Sequence, residues 1–120
     1  MMNIGITGST GSLGKVVKKK FKNFKLIPYK GDIVDKKSII EWFDKYNLDI
    51  IIHLAAIVPI KKVNKNKNKA RQVNFYGTKN IVDACIRNKI KWLFYSSTSH
   101  VYKPSRKKIS ENFIKKPISY

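Results

Sequence analysis

The stretch "NIGITGSTGSLGKVVKKKF", residues 3–21, decides how the rest of the chain is read. It opens on "NIGIT" (3–7), which alternates apolar residues and runs into glycine, the pattern of a buried strand. It closes with Leu13, Val16, Val17 and Phe21 at helical spacing and lysines on the other face. Between strand and helix stand Gly8, Gly11 and Gly14, spaced three apart. Glycines there let the backbone turn tightly and approach a pyrophosphate, which then sits on the N-terminus of the helix. A glycine triplet alone is weak evidence. Placed directly after a first strand and opening a first helix, it points to a dinucleotide.

Outward from this turn the chain continues in alternation. "KLIPY" (25–29) reads as a second short strand, with Pro28 marking a strand end or edge. "KKSIIEWFDKYN" (36–47) reads as a second helix, started either by Asp35 as N-cap or by a Ser38–Glu41 capping box. "DIIIHLAA" (49–56) is nearly all apolar, as a central parallel strand covered on both faces should be. The lysine–asparagine tract "KKVNKNKNKARQ" reads as a loop of low complexity leading into a helix. That third helix spans roughly Ala70 to Asn88, with Val73, Gly77, Ile81, Ala84 and Cys85 on one face. "KWLFYSS" (91–97) is the fourth strand, and the remainder, with two prolines, reads as loop. The order βαβαβαβ calls for an α/β fold with a parallel sheet and right-handed crossovers, in extent the first half of a doubly wound sheet.

A chain of 120 residues with 42% hydrophobic composition makes one globular domain at most. No signal peptide is expected, because a glycine arrives before any apolar run builds. The longest apolar stretch, Ile50 to Ile60, is interrupted by His53 and Pro59 and is too short to span a bilayer. The net charge of +19 raises nucleic acid as a partner. However, 23 of the 26 basic residues are lysine, whereas base readout and bidentate phosphate contacts favour arginine. Lysine, asparagine and isoleucine all have AT-rich codons, so codon bias accounts for the lysine excess, and neither nucleic acid nor membrane is expected as a partner. The single cysteine, Cys85, fits a reducing cytoplasm and reads as a small core residue. His53 ends a buried strand and reads as a packed core histidine. Trp42 and Phe43 read as core, and no cluster around His100 has metal spacing.

The Gly8-x-x-Gly11-x-x-Gly14 spacing resembles the extended short-chain dehydrogenase/reductase family, the NAD(P)-dependent sugar-nucleotide epimerases, dehydratases and reductases with a Rossmann-type fold. "GDIVD" (31–35), "HLAA" (53–56), "VNFYGTKNIVDAC" (73–85) and "YSSTSHVY" (95–102) resemble further family segments in the expected order. The resemblance implies a cofactor, NADP or NAD, held by Gly8, Thr10, Gly11, Ser12, Leu13, Gly14, Asp32, Ile33, Leu54, Ala55, Ala56, Asn74 and Ser96. It implies Thr98 as the hydroxyl that orients a substrate oxygen, a nucleotide-sugar substrate in a longer parent protein, and allows a homodimer. A dinucleotide-binding module without turnover is the alternative. Lys30, near the end of the second strand, would tolerate the 2′-phosphate of NADP where an NAD site places an acid.

The chain also departs from the family. Lys103 and Pro104 follow Tyr102 where glycine is usual, and the often acidic stretch after the central strand is lysine-rich. The second strand runs almost straight into "GDIVD", an abbreviation that resembles the dTDP-4-dehydrorhamnose reductase branch. The final "KKPISY" resembles the start of the family's Pro-x-Ser-x-Tyr-x-x-x-Lys segment. Aligning Pro117 and Ser119 places the catalytic tyrosine one position further on, while a one-residue shift would give Tyr120 that role. In either register the lysine that would lower the tyrosine pKa is not in these 120 residues, so binding without turnover is the expectation for this chain, read as truncated at its C-terminal end.

Overall fold

The computed structural model describes residues 1–58 and 60–117. Strands β1 (Asn3–Thr7), β2 (Lys25–Pro28), β3 (Ile50–His53) and β4 (Trp92–Tyr95) pair in parallel as one sheet in the order β2-β1-β3-β4. From β1 the chain moves to one side for β2 and then crosses to the other side for β3. The carboxyl ends of β1 and β3 therefore flank the point where strand order reverses, the usual place for a ligand crevice in such sheets. The register sets Thr7 beside His53 and His53 beside Tyr95, so three strand ends share one edge.

Helix α1 (Ser12–Lys20) follows β1, and α2 (Lys36–Tyr46) follows β2. The Asp35 side chain caps α2, accepting from the backbone N–H of Lys37 at 3.0 Å and Ser38 at 3.2 Å. The Ser38 hydroxyl meets the Tyr29 hydroxyl instead, so Asp35 rather than a capping box starts this helix. After β3 come α3 (Ile60–Lys65), α4 (Lys67–Arg71), a π-helical turn (Gln72–Gly77) and α5 (Thr78–Arg87). The lysine–asparagine tract expected to be a loop is thus helical. Val63 and Ala70 are buried from within it, and Asn66 caps α4 by accepting from Lys69 N–H at 2.9 Å. Two apolar anchors and one cap outweigh the polar composition. The segment after β4, expected to be loop, holds a 3-10 turn (Ser99–Val101) and pairs Tyr102 with Lys115 in an antiparallel bridge.

The two faces of the sheet are covered unequally. On one, Ile39, Trp42 and Phe43 of α2 and Ile81, Ala84 and Cys85 of α5 close over Ile27 and Ile51. On the other, the buried set is Ile4, Ile6 and Ile52, and among the described residues Val17 is the one helical residue packed against it. The expected apolar face of α1 is consequently only partly used: Leu13 and Val16 remain 49% and 54% exposed. One short helix has too little reach to bury its whole stripe on a sheet of four strands. At β4, Leu93 packs inward while Trp92, Phe94 and Tyr95 stay exposed, and no strand pairs with its outer edge among the described residues.

Candidate functional site

The glycines of the first turn separate into two kinds. Gly8 leaves β1 with φ +68, in the left-handed region, and a Cβ on it would lie 2.7 Å from Ala55 N. A Cβ on Gly14 would strike Gly8 O and lie 2.7 Å from Ser9 Cα, so α1 can seat on the turn only without one. Gly11 differs: its φ is −70, ordinary extended backbone, and a Cβ would meet only Gly8 O, at 3.3 Å. Its carbonyl accepts from Lys15 N–H at 2.9 Å, which begins α1. No side chain caps the helix at Gly11, so the positive end of the helix dipole and its first N–H groups face the space above the turn.

That space is a cleft of about 870 Å³ at the carboxyl edge of the sheet. One wall is the turn after β2. There Asp32 accepts from Val34 N–H at 3.0 Å, Tyr29 donates to Asp32 O at 2.9 Å, and Asn80 of α5 donates to Ile33 O at 3.1 Å and Val34 O at 3.2 Å. The opposite wall follows β3. Asn74 sits in the π-helical turn and clamps Ile57, accepting from its N–H at 2.7 Å and donating to its carbonyl at 3.1 Å. A single wide helical turn of this kind re-aims one side chain without ending the helix. Between Ile57, held by Asn74, and His53, the backbone of Leu54, Ala55 and Ala56 runs along the cleft.

At the floor lies His53, 1% exposed. Its Nδ1 is 2.6 Å from Thr7 Oγ1, its Nε2 is 2.9 Å from Thr78 Oγ1, and its ring stacks on Tyr95 at 5.9 Å. Thr7 Oγ1 also accepts from Leu54 N–H and Ala55 N–H, each at 3.2 Å. Burial lowers the His53 pKa from 6.5 to about 4, so the ring is neutral at physiological pH. Beyond β4, Ser96 N–H donates to His53 O at 3.2 Å. Thr98 is exposed at the cleft and caps the 3-10 turn by accepting from His100 N–H at 3.2 Å, which leaves its own proton to donate.

The fold gathers the residues singled out from sequence. Gly8, Thr10, Gly11, Ser12, Leu13, Gly14, Asp32, Ile33, Leu54, Ala55, Ala56, Asn74, Ser96 and Thr98 all line this one cleft. Tyr120 and Ser119 lie outside the described residues. Lys30 is exposed at the end of β2 and is not among the lining residues. His53 is buried as expected, yet it also lines the cleft and is held at both ring nitrogens. Thr78, Tyr95, Ser97 and Gly31 lie within the segments quoted from the sequence, but no site role is assigned to them there. The first two are placed only by the fold: strand register sets Tyr95 beside His53, and His53 Nε2 meets Thr78 at the start of α5.

A parallel sheet carrying a glycine turn and an uncapped helix start at its switch point defines the Rossmann class of nucleotide-binding folds. Within that class the chain belongs to the 3-beta hydroxysteroid dehydrogenase/isomerase family, whose model matches residues 10–116. This places it among the extended short-chain dehydrogenases/reductases that its motifs resemble. It is 31% identical over 130 residues to a dTDP-D-glucose 4,6-dehydratase of Dictyostelium discoideum, covering 85% of this chain and 30% of that protein. A dTDP-4-dehydrorhamnose reductase of Clostridium acetobutylicum superposes with a TM-score of 0.89 at 27% identity, over 98% of this chain and 44% of its own. The dTDP-4-dehydrorhamnose reductase of Bacillus anthracis, solved in complex with NADP, gives 0.89 at 25% identity, over 99% and 45%. The chain spans less than half the length of each of these relatives. Among the described residues no helix is long and apolar enough to cross a membrane.

Proposed function

We propose that the cleft binds a nicotinamide dinucleotide, NADP or NAD, and that the chain is the cofactor-binding part of a nucleotide-sugar reductase, epimerase or dehydratase. The observation that carries this reading is Gly11. The turn needs Gly8 and Gly14 for its own geometry, but the bare backbone at Gly11, apart from Gly8 O, opens onto the cleft, as a pyrophosphate approaching the helix N-terminus requires. The residues present fit such a group: uncapped N–H groups for its phosphates, Asp32 and Ile33 for its adenosine end, Ala55, Ala56 and Asn74 along its middle. When bound, the nicotinamide supplies hydride exchange with a sugar carbon. Thr98, its proton free, donates to the substrate oxygen at that end of the cleft. The relatives' names support a nucleotide-sugar substrate. The single thiol supports a cytoplasmic setting, and the scattered lysines argue against a nucleic-acid partner.

The test is calorimetric titration of the chain with NADPH and with NADH, alongside Gly11→Val. The wild-type chain should bind at least one of the two, and the variant should lose at least about tenfold in affinity, roughly 1.4 kcal/mol. Its unfolding temperature should fall only modestly, by the cost of a poorer N-cap and of one contact with Gly8 O at 3.3 Å. Equal binding by both chains, or none by the wild type, would sink the reading.

A further inference from the structure

The hydrogen bonds beneath the cleft have a direction, and it follows from counting protons. Thr7 Oγ1 already receives two backbone N–H groups, from Leu54 and Ala55. With both lone pairs engaged, it meets His53 Nδ1 as the donor, so Nδ1 is the bare nitrogen of the ring. A neutral imidazole carries its one proton on the other nitrogen, so Nε2–H donates to Thr78 Oγ1. The Thr78 hydroxyl is then an acceptor towards His53. Its own proton finds no further hydrogen-bond partner among the described residues, while Thr78 lines the cleft.

We infer that Thr7, His53 and Thr78 form a one-way chain of hydrogen bonds that makes the Thr78 hydroxyl a fixed donor to an acceptor oxygen of the cleft ligand. His53 is a positioning residue here: both its ring nitrogens are engaged by threonine hydroxyls, and its tautomer decides which way the Thr78 proton points. The opposite tautomer would leave Thr78 donating to His53, presenting the cleft with an acceptor where the proposed ligand, rich in phosphate, ribose and carbonyl oxygens, offers mainly acceptors. The stacking of His53 on Tyr95 holds the ring plane, and the paired backbone donors on Thr7 hold the sense of the chain. This rests on the dinucleotide reading of the cleft, but the direction of the chain does not.

Two measurements test it on the 120-residue chain. Nitrogen-15 NMR of labelled histidine at neutral pH should show His53 as the Nε2–H tautomer with an unprotonated Nδ1, before and after ligand is added. A proton on Nδ1 would overturn the inference whatever binds. In titrations with NADPH and NADH, Thr78→Val should weaken binding about tenfold and Thr78→Ser should restore it to within about twofold, the scale of one hydrogen bond. His53→Gln, whose amide can accept on one side and donate on the other, should bind better than His53→Leu at matched folded content by circular dichroism. Undiminished binding by Thr78→Val, with the wild type binding, would overturn the donor and leave the dinucleotide reading standing. A wild-type chain that binds neither dinucleotide would overturn that reading and the ligand assigned to Thr78 with it.

Discussion

Gly11 and His53 make opposite kinds of demand on the chain. Gly11 is spared by the fold and, on the proposed reading, required by a ligand, whereas His53 is held by the fold in a state that pH can undo. Because burial lowers its pKa from 6.5 to about 4, the unfolded chain binds a proton between those values that the folded chain refuses. The stability that depends on neutral His53 is complete above a pH of about 6.5 and is lost as pH falls toward 4, by on the order of 3 kcal/mol. Asp49 acts in the same sense at lower pH: its pKa is lowered by the Asn3 backbone N–H and then by Lys91, and protonation forfeits both contacts. Thermal unfolding followed by circular dichroism should therefore drop in midpoint between pH of about 7 and 4.5, and His53→Gln should flatten the upper part of that drop. An unchanged wild-type midpoint over that range would show that His53 is not buried neutral.

Among the elements, α5 ends in a way the sequence does not advertise. Lys89 N–H bonds Ile86 O at 3.1 Å and Ile90 N–H bonds Cys85 O at 2.9 Å, the paired bonds of a Schellman cap. The residue in the left-handed position is Lys89, with φ 51, where glycine is favoured. Lys89→Gly should raise stability by about 0.5–1 kcal/mol, since relief of the left-handed strain exceeds glycine's extra chain entropy. Urea unfolding would register this as a higher midpoint with an unchanged slope. The four strands, α2 and most of α5 were legible because apolar period and length agreed there, and the glycine turn was legible because its residues admit few other uses. The tract at 61–72 was not: lysine and asparagine dominate its composition, and helix formation rests on Val63, Ala70 and the Asn66 cap. The π-helical turn has no period of its own to read, and its reason, the Asn74 clamp on Ile57, is a contact between distant residues. The same holds for Thr78 and Tyr95, which only the fold places at the cleft.

On the scale of the whole molecule, what matters is the inequality of the two layers. The α2–α5 side buries aromatic and aliphatic bulk, while α1 is held by Val17, by the seat at Gly14 and by its own backbone, against a net charge of +19 that favours expansion. Regions with few buried apolar contacts open first in native-state fluctuations. Amide hydrogen exchange should therefore be faster in α1 than in α2 or α5, and added dinucleotide should slow it in α1 more than elsewhere. Uniform exchange across the three helices would refute this. Of these three helices the least buried is the one whose first turn faces the cleft, so on the proposed reading occupancy of the cleft and closure of α1 are one equilibrium. A dinucleotide would then act partly as a folding reagent, its apparent affinity reduced by the fraction of molecules in which α1 is open at the moment of encounter.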